Sequence, residues 1–248
     1  MQVLYIYSGK GGVGKSSVCV NLAYTLKHMG LQVGVFDADF SGPSIPNMVR
    51  GLEDQPQRMH GQVIEPGVFA GVKIGSLGFT ASEQESLYWS GKYLEGAIHQ
   101  FLLGVTWDVD VLLVDLPPGT HDMHQLIYTQ VPGRTLVVTL PHEASYQDLS
   151  RSLDFMERLK QPVLGVVENM SYYQCSCCGN QEYLFQGDTQ ASICLPHRLP
   201  LLAQLPFDLE LNRSFSAGHP ISSERLLEPY HLLAHAVLPD LCLAGPVP

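Results

Sequence analysis

The stretch "VLYIYSGKGGVGKSS", residues 3–17, decides the fold. Its first five residues are a run of apolar and aromatic side chains, the pattern of a strand buried on both faces. Gly9 through Ser16 then fit the spacing G-x-x-x-x-G-K-[ST], and a segment of helical period runs from about Lys15 to Met29. Strand, glycine-rich turn and helix in that order make a phosphate cradle. The glycines let successive backbone N–H groups turn inward, and the helix N-terminus adds positive potential. Lys15 is spaced to reach the β- and γ-phosphates of a nucleotide and Ser16 to ligate Mg²⁺. Gly9, Lys10, Gly11, Gly12, Val13, Gly14, Lys15, Ser16 and Ser17 are therefore the expected nucleotide-binding loop.

Outward from that loop, apolar runs of strand length alternate with helical periods. The strands are "VGVFDAD" (33–39), "VKIGSLG" (72–78), "VLLVDLPP" (111–118), "TLVVTLP" (135–141), "VLGVVENM" (163–170) and "LLAQLPFD" (201–208). Helices are expected near 91–104, 121–130, 144–160 and from about Ser223. Such a chain is a doubly wound α/β domain with a mostly parallel sheet flanked by helices, spanning 1–248 as one unit. Residues 51–70, rich in Gly, Pro and Gln, read as a loop excursion. Residues 172–198 read as a second loop, and it carries the cysteines of "CSCC" (175–178).

Composition narrows the function. The 248 residues are 45% hydrophobic and 15% charged, with a formal charge of −10. No run of Lys/Arg is present, so nucleic acid is not an expected partner. No uncharged apolar run reaches the ~20 residues that span a bilayer, and the first residues lack a leader pattern, so a cytoplasmic protein with no membrane partner is expected, or else a mature form whose presequence is not shown. In a reducing compartment clustered cysteines serve metal or redox chemistry more often than disulfides. Cys19, Cys194 and Cys242 stand alone and read as small buried hydrophobes.

Phosphoryl transfer to water needs Mg²⁺, a positioned nucleophile and charge neutralisation, and carboxylates at strand ends supply the first two. Asp37, Asp39 and Asp115 are the candidates. For the base, Asn169 ends one strand, and Pro206, Phe207 and Asp208 end the next. An amide can pair with the edge of adenine, and a Pro-Phe pair can cover its face.

Lys10, directly after the first glycine, makes "GKGGVGKS" resemble the deviant phosphate loop of the MinD/ParA/ArsA/nitrogenase-iron-protein class of ATPases. That resemblance implies a homodimer in which Lys10 reaches the partner's nucleotide. It also implies that Asp39 orients water, that Asp37 lies in the outer Mg²⁺ shell, and that Asp115 begins a switch loop ending at Gly119. The class uses the positions of Asn169 and of Pro206 to Asp208 around the base, which favours ATP. The GTPase pattern N-K-x-D is absent.

"DADFSGPSIPNM" (37–48), "DLPPGTHD" (115–122) and "PVLGVVENMSYYQCSCCG" (162–179) together resemble the Mrp/ApbC/NUBP-type iron–sulfur cluster carrier ATPases. The resemblance implies that Cys175 and Cys178, a C-x-x-C after "ENMS", give two thiolates per chain to a [4Fe–4S] cluster shared by two chains. It further implies a slow ATPase that takes the cluster from an assembly scaffold to apo iron–sulfur proteins. Cys177 is not required by the pattern and reads as a bystander or an occasional substitute ligand. His121 replaces a small residue of the family's switch, and "YLFQGDTQ" (183–190) replaces its "FGxGGG" loop. Zinc in a Cys₄ clasp between two chains is the alternative, since thiolates suit both metals. A MinD- or ParA-type positioning ATPase is another, although the C-terminal segment lacks basic residues after Arg225 and Pro229 and Pro239 are expected to interrupt it. His121, His124 and His142 are not expected to bind metal.

Overall fold

A computed structural model describes residues 1–40, 42–51, 53–60, 63–79, 91–120, 122–175, 177–211 and 224–243. His121 lies outside them, and so does the side chain of Cys242. Seven strands form the parallel body of the sheet: β1 (Gln2–Tyr7), β2 (Val33–Asp37), β7 (Val72–Ser76), β8 (Val111–Asp115), β9 (Arg134–Thr139), β10 (Val163–Gln174) and β12 (Leu201–Pro206). Their spatial order is β12-β10-β9-β1-β8-β2-β7. β1 lies centrally, and the chain turns one way from it through β8 and the other way through β9. Ligands of open α/β sheets bind at that switch, beyond the strand C-termini.

The helices are α1 (Lys15–His28), the single-turn α2 (Ile45–Met48), α3 (Gly91–Leu103), α4 (Asp122–Gln130), α5 (Glu143–Arg158), the short α6 (Leu195–His197) and α7 (Glu224–Leu243). One core layer packs α1 and α7 onto the sheet through Leu22, Leu26, Tyr230, Leu233 and Val237. The opposite layer centres on Phe36, Phe101, Ile127, Leu149 and Leu153. Burying each such side chain contributes roughly 1.5–3 kcal/mol. The α/β architecture with a mostly parallel sheet is as the alternating pattern led us to expect.

Three expectations need correction. Residues 51–70 are not a plain loop: β3 (Glu53–Gln55) and β6 (Gly67–Phe69) extend the sheet antiparallel beyond β7, and β4 (Arg58–His60) pairs with β5 (Val63–Glu65). Gln57 makes the excursion regular by bonding both Ser76 backbone groups at 3.0 Å, a long-range satisfaction that local composition cannot reveal. Residues 172–198 are not one loop either. β10 continues to Gln174 and hairpins into β11 (Gln181–Tyr183), and Gln190–Cys194 is a π-helical turn. Finally, Pro229 and Pro239 do not interrupt the C-terminal helix, since α7 is continuous across both. A proline removes one helical hydrogen bond, and the buried row Leu226, Tyr230, Leu233, Val237 and Leu241 holds the helix on the core regardless.

Candidate nucleotide site and cysteine turn

The loop after β1 needs left-handed backbone, and glycine supplies it at Gly12 (φ 81°) and Gly14 (φ 83°). Gly14 is also sterically confined: a Cβ there would come 2.3 Å from Asn169 Nδ2. That amide nitrogen donates to the Val13 carbonyl at 2.8 Å, which ties the loop to the middle of β10, a strand that runs on past Asn169 to Gln174 rather than ending there. Lys10 stands exposed at the loop tip, and Ser8 Oγ donates to its carbonyl at 3.0 Å.

Adjacent strands bring the carboxylates together. Asp37 and Asp115 are direct partners in the β2–β8 register, and Ile6 of β1 pairs with Asp115 on the other side. Lys15 Nζ donates to Asp115 Oδ1 at 2.6 Å with both groups buried, while Asp115 Oδ2 is sealed in without a hydrogen-bond partner. Burial raises the Asp115 carboxyl, with the Lys15 cation opposing. Asp37 accepts from Ser76 Oγ at 3.1 Å and from the Asp39 N–H at 3.2 Å. Its pKa is pushed up to about 8, first by burial and then by the Asp115 charge. Asp39 Oδ1 accepts from the Gly42 N–H at 3.3 Å.

A cleft of about 330 Å³ opens over these groups, lined among others by Gly11, Gly12, Gly14, Lys15, Ser16, Ser17, Asp39 and Pro118. Its donors and its cation suit an anionic ligand. Asp115 Oδ2, Ser16 Oγ and Asp39 are oxygens of the kind that Mg²⁺ takes, and a sealed carboxylate oxygen without a donor fits such an ion. A second pocket of about 210 Å³ adjoins through Ser17. It gathers Asn169, Met170, Pro206, Phe207, Asp208, Leu211 and Tyr230. The four residues expected around a base thus line one pocket.

Some of the machinery carries no sequence motif. Tyr7 Oη donates to the Gly119 carbonyl at 3.0 Å, and the Gly119 N–H donates to the Ser8 carbonyl at 3.0 Å. His124, wholly buried on α4, sets Nε2 3.0 Å from the Pro117 carbonyl and packs edge-on against Tyr7. Because a carbonyl only accepts, His124 carries a proton on Nε2. His142 caps α5, its Nδ1 accepting from the Ala144 N–H at 3.1 Å. An aromatic in a strand and a lone histidine are ordinary core residues by pattern, and only the tertiary contact marks them.

The cysteine turn is built on the β10–β11 hairpin. The Cys175 N–H bonds the Asn180 carbonyl and the Gly179 N–H bonds the Cys175 carbonyl, both at 2.9 Å, with Gly179 left-handed at φ 73°. The backbone N–H groups of Cys178 and Cys177, in that order, point at the Cys175 sulfur and lower its pKa, and the Cys178 thiol adds to this. Cys177 and Cys178 are exposed, and all three are free thiols. Cys19 and Cys194 are buried, as expected. Among the described residues no three His, Cys, Asp or Glu side chains converge on a metal position. No helix among them is long and apolar enough to cross a membrane.

The chain is similar to known proteins over most of its length. It is 36% identical over 251 residues to an iron-sulfur cluster carrier protein of Haemophilus influenzae, covering 99% of this chain and 68% of that protein. It is 35% identical to the carrier of Methanocaldococcus jannaschii, covering 88% and 77%. Against the Helicobacter pylori carrier the identity is 38%, and the chain spans only 60% of that relative's length. Among solved structures, a nucleotide-binding protein of Archaeoglobus fulgidus in complex with ADP superimposes with a TM-score of 0.74 at 33% identity, covering 88% and 86%. MinD of Pyrococcus horikoshii, complexed with Mg-ADP, gives 0.69 at 19% and shows the shared fold. The family model described as ParA, NUBPL iron-transfer P-loop NTPase, matches residues 1–238, and the chain belongs to that family.

Proposed function

We propose that this chain is an ATPase that carries a [4Fe–4S] cluster between two copies of itself and delivers it to apo-proteins. The observation that carries the reading is the placement of two features on one strand. Asn169 of β10 lines the base pocket, and six residues later Cys175 opens a turn whose N–H groups favour its thiolate. Backbone N–H donors around a cysteine sulfur are what cluster and metal thiolates use.

Adenine is favoured by the orientation of Asn169. One N–H of its amide is engaged by the Val13 carbonyl, which fixes the amide's orientation and leaves its oxygen to accept from the exocyclic amine of a base. Adenine offers an amine there, and guanine a carbonyl. Bound Mg²⁺, held by Ser16 and Asp115, would neutralise phosphate charge. Lys15 binds the phosphates, Asp39 orients the attacking water, and Lys10 at the exposed loop tip reaches the partner's nucleotide. A [4Fe–4S] cluster takes four thiolates, and Cys175 and Cys178 supply two per chain. The likeness to iron-sulfur cluster carrier proteins supports delivery to apo iron–sulfur proteins, and we place the donor, an assembly scaffold, in the cytoplasm.

Anaerobic reconstitution followed by iron and sulfide analysis tests the proposal. About four of each per dimer is expected, with a brown, oxygen-labile product. A colourless, zinc-loaded dimer that takes up no sulfide would replace the cluster with a structural Cys₄ clasp.

A further inference from the structure

β10 is irregular between the base pocket and the cysteine turn. Its ladder with β12 pairs Glu168 with Gln204 and next pairs Tyr172 with Pro206, so four steps on β10 match two on β12. The extra length is a bulge at residues 169–171, with Met170 left-handed at φ 52°. A non-glycine residue holds that conformation only where its surroundings over-determine it. They do so here from both sides. Asn169 and Met170 line the base pocket. Beneath them the wholly buried Ser171 donates to Glu168 Oε1, and Gln204 Nε2 donates to the same oxygen at 2.8 Å and reaches Ser171 Oγ at 3.3 Å.

Beyond the bulge the chain is regular up to the turn. Tyr172, Tyr173 and Gln174 pair in register with β11, the Phe207 N–H bonds the Tyr172 carbonyl at 2.7 Å, and Cys175 is bonded to Asn180. Residues 172–175 therefore move as one piece with the hairpin, and the only irregular backbone between pocket and sulfur is the bulge. We propose that Glu168, Ser171 and Gln204 are positioning residues that hold this bulge, so that a base against Asn169 and Met170 resets the position of Cys175 and Cys178 within a single chain. This rests on the nucleotide and cluster reading above, and adds to it an intramolecular route that needs no movement of one copy against the other.

The test uses the full chain, metal-free, with Cys177→Ser to simplify the readout and MgADP as the probe. Alkylation of the peptide carrying Cys175 and Cys178 is followed by mass spectrometry with and without nucleotide, and MgADP affinity is measured by calorimetry on the same samples. A change in rate of at least about threefold is expected on binding. Ser171→Ala, and independently the surface change Gln204→Ala, are expected to bring it below about 1.5-fold while affinity stays within about twofold. Both variants keeping the full response would overturn the relay, as would a parent protein that binds MgADP with unchanged rates. A parent that binds no MgADP would sink the nucleotide reading itself, and the relay with it, so the two failures are distinguishable.

Discussion

Lys15 Nζ and Asp115 Oδ1 lie 2.6 Å apart, and their side chains are 6% and 0% exposed. The cation proposed to bind phosphates and the carboxylate proposed to hold Mg²⁺ thus satisfy one another when the cleft holds neither. Phosphate alone would strip Lys15 away and leave a buried, uncompensated Asp115, whereas nucleotide with its metal replaces both partners together. ADP is therefore expected to bind at least about tenfold more weakly without Mg²⁺, about 1.4 kcal/mol, by calorimetry. Lys15→Met is expected to lose nucleotide and to cost about 3 kcal/mol in urea unfolding, and a second change, Asp115→Asn, to recover most of that stability by removing the orphaned charge. An unfolding midpoint untouched by Lys15→Met would show the pair to be idle.

Asp37 gives the fold a pH dependence of unusual sign. Its folded pKa of about 8 stands above the ordinary 3.8 because burial and the Asp115 charge disfavour the carboxylate. The folded state then holds a proton that the unfolded chain has lost, so stability falls as pH rises between those values, by at most about 1.4 kcal/mol per unit. Denaturation midpoints of the nucleotide-free protein should drop from pH 5.5 to pH 8, and Asp37→Asn should flatten the drop. A decline equally steep in Asp37→Asn would assign it to another group.

How much of this was legible in the sequence depends on whether local pattern or distant contact fixed the feature. Gly12, Gly14 and Lys15 announce the cradle because phosphate binding demands those residues at that spacing, and the Val/Leu strands announce the parallel sheet because both faces are buried. Asp37 and Asp115 were readable as strand-end carboxylates, but their meeting in register was not. Glu168, Met170 and Ser171 were readable as part of the "ENMS" that precedes the cysteines, but the bulge they form was not, since a bulge is set by pairing with a strand some thirty-five residues away. The 51–70 hairpins were missed for the same reason, Gln57 reaching across to Ser76.

Tyr7 and His124 hold the segment after Asp115 from below, one at the Gly119 carbonyl and the other at the Pro117 carbonyl. Pro118 between them lines the phosphate cleft. Releasing either carbonyl should let the segment drift and slow ATP turnover, roughly three- to tenfold, with nucleotide affinity little changed. His124→Gln keeps an N–H donor at similar reach and should retain more activity than His124→Leu. Equal activity in the two would mean that the ring only fills space. Tyr7→Phe should cost about 1 kcal/mol of stability for the lost hydrogen bond.

The three clustered cysteines separate by what faces the Cys175 sulfur. That sulfur receives the N–H groups of Cys178 and Cys177 and the Cys178 thiol, so Cys177 takes part through its backbone. Replacing a side chain leaves its N–H in place. Cys177→Ala is therefore expected to retain iron and sulfide after anaerobic reconstitution within about twofold of the parent, whereas Cys175→Ala and Cys178→Ala would each remove two of the four ligands of the proposed shared cluster. Those two variants should bind no stable cluster, while MgADP affinity, measured alongside, stays unchanged because neither residue lines the nucleotide pockets. Gly179 offers an independent check. Its left-handed φ of 73° closes the turn, so Gly179→Val should strain it and weaken cluster retention with all three thiols still present. Loss of the cluster in Cys177→Ala but not in Cys178→Ala would reverse the assignment and make the neighbouring pair, not the spaced one, the ligands.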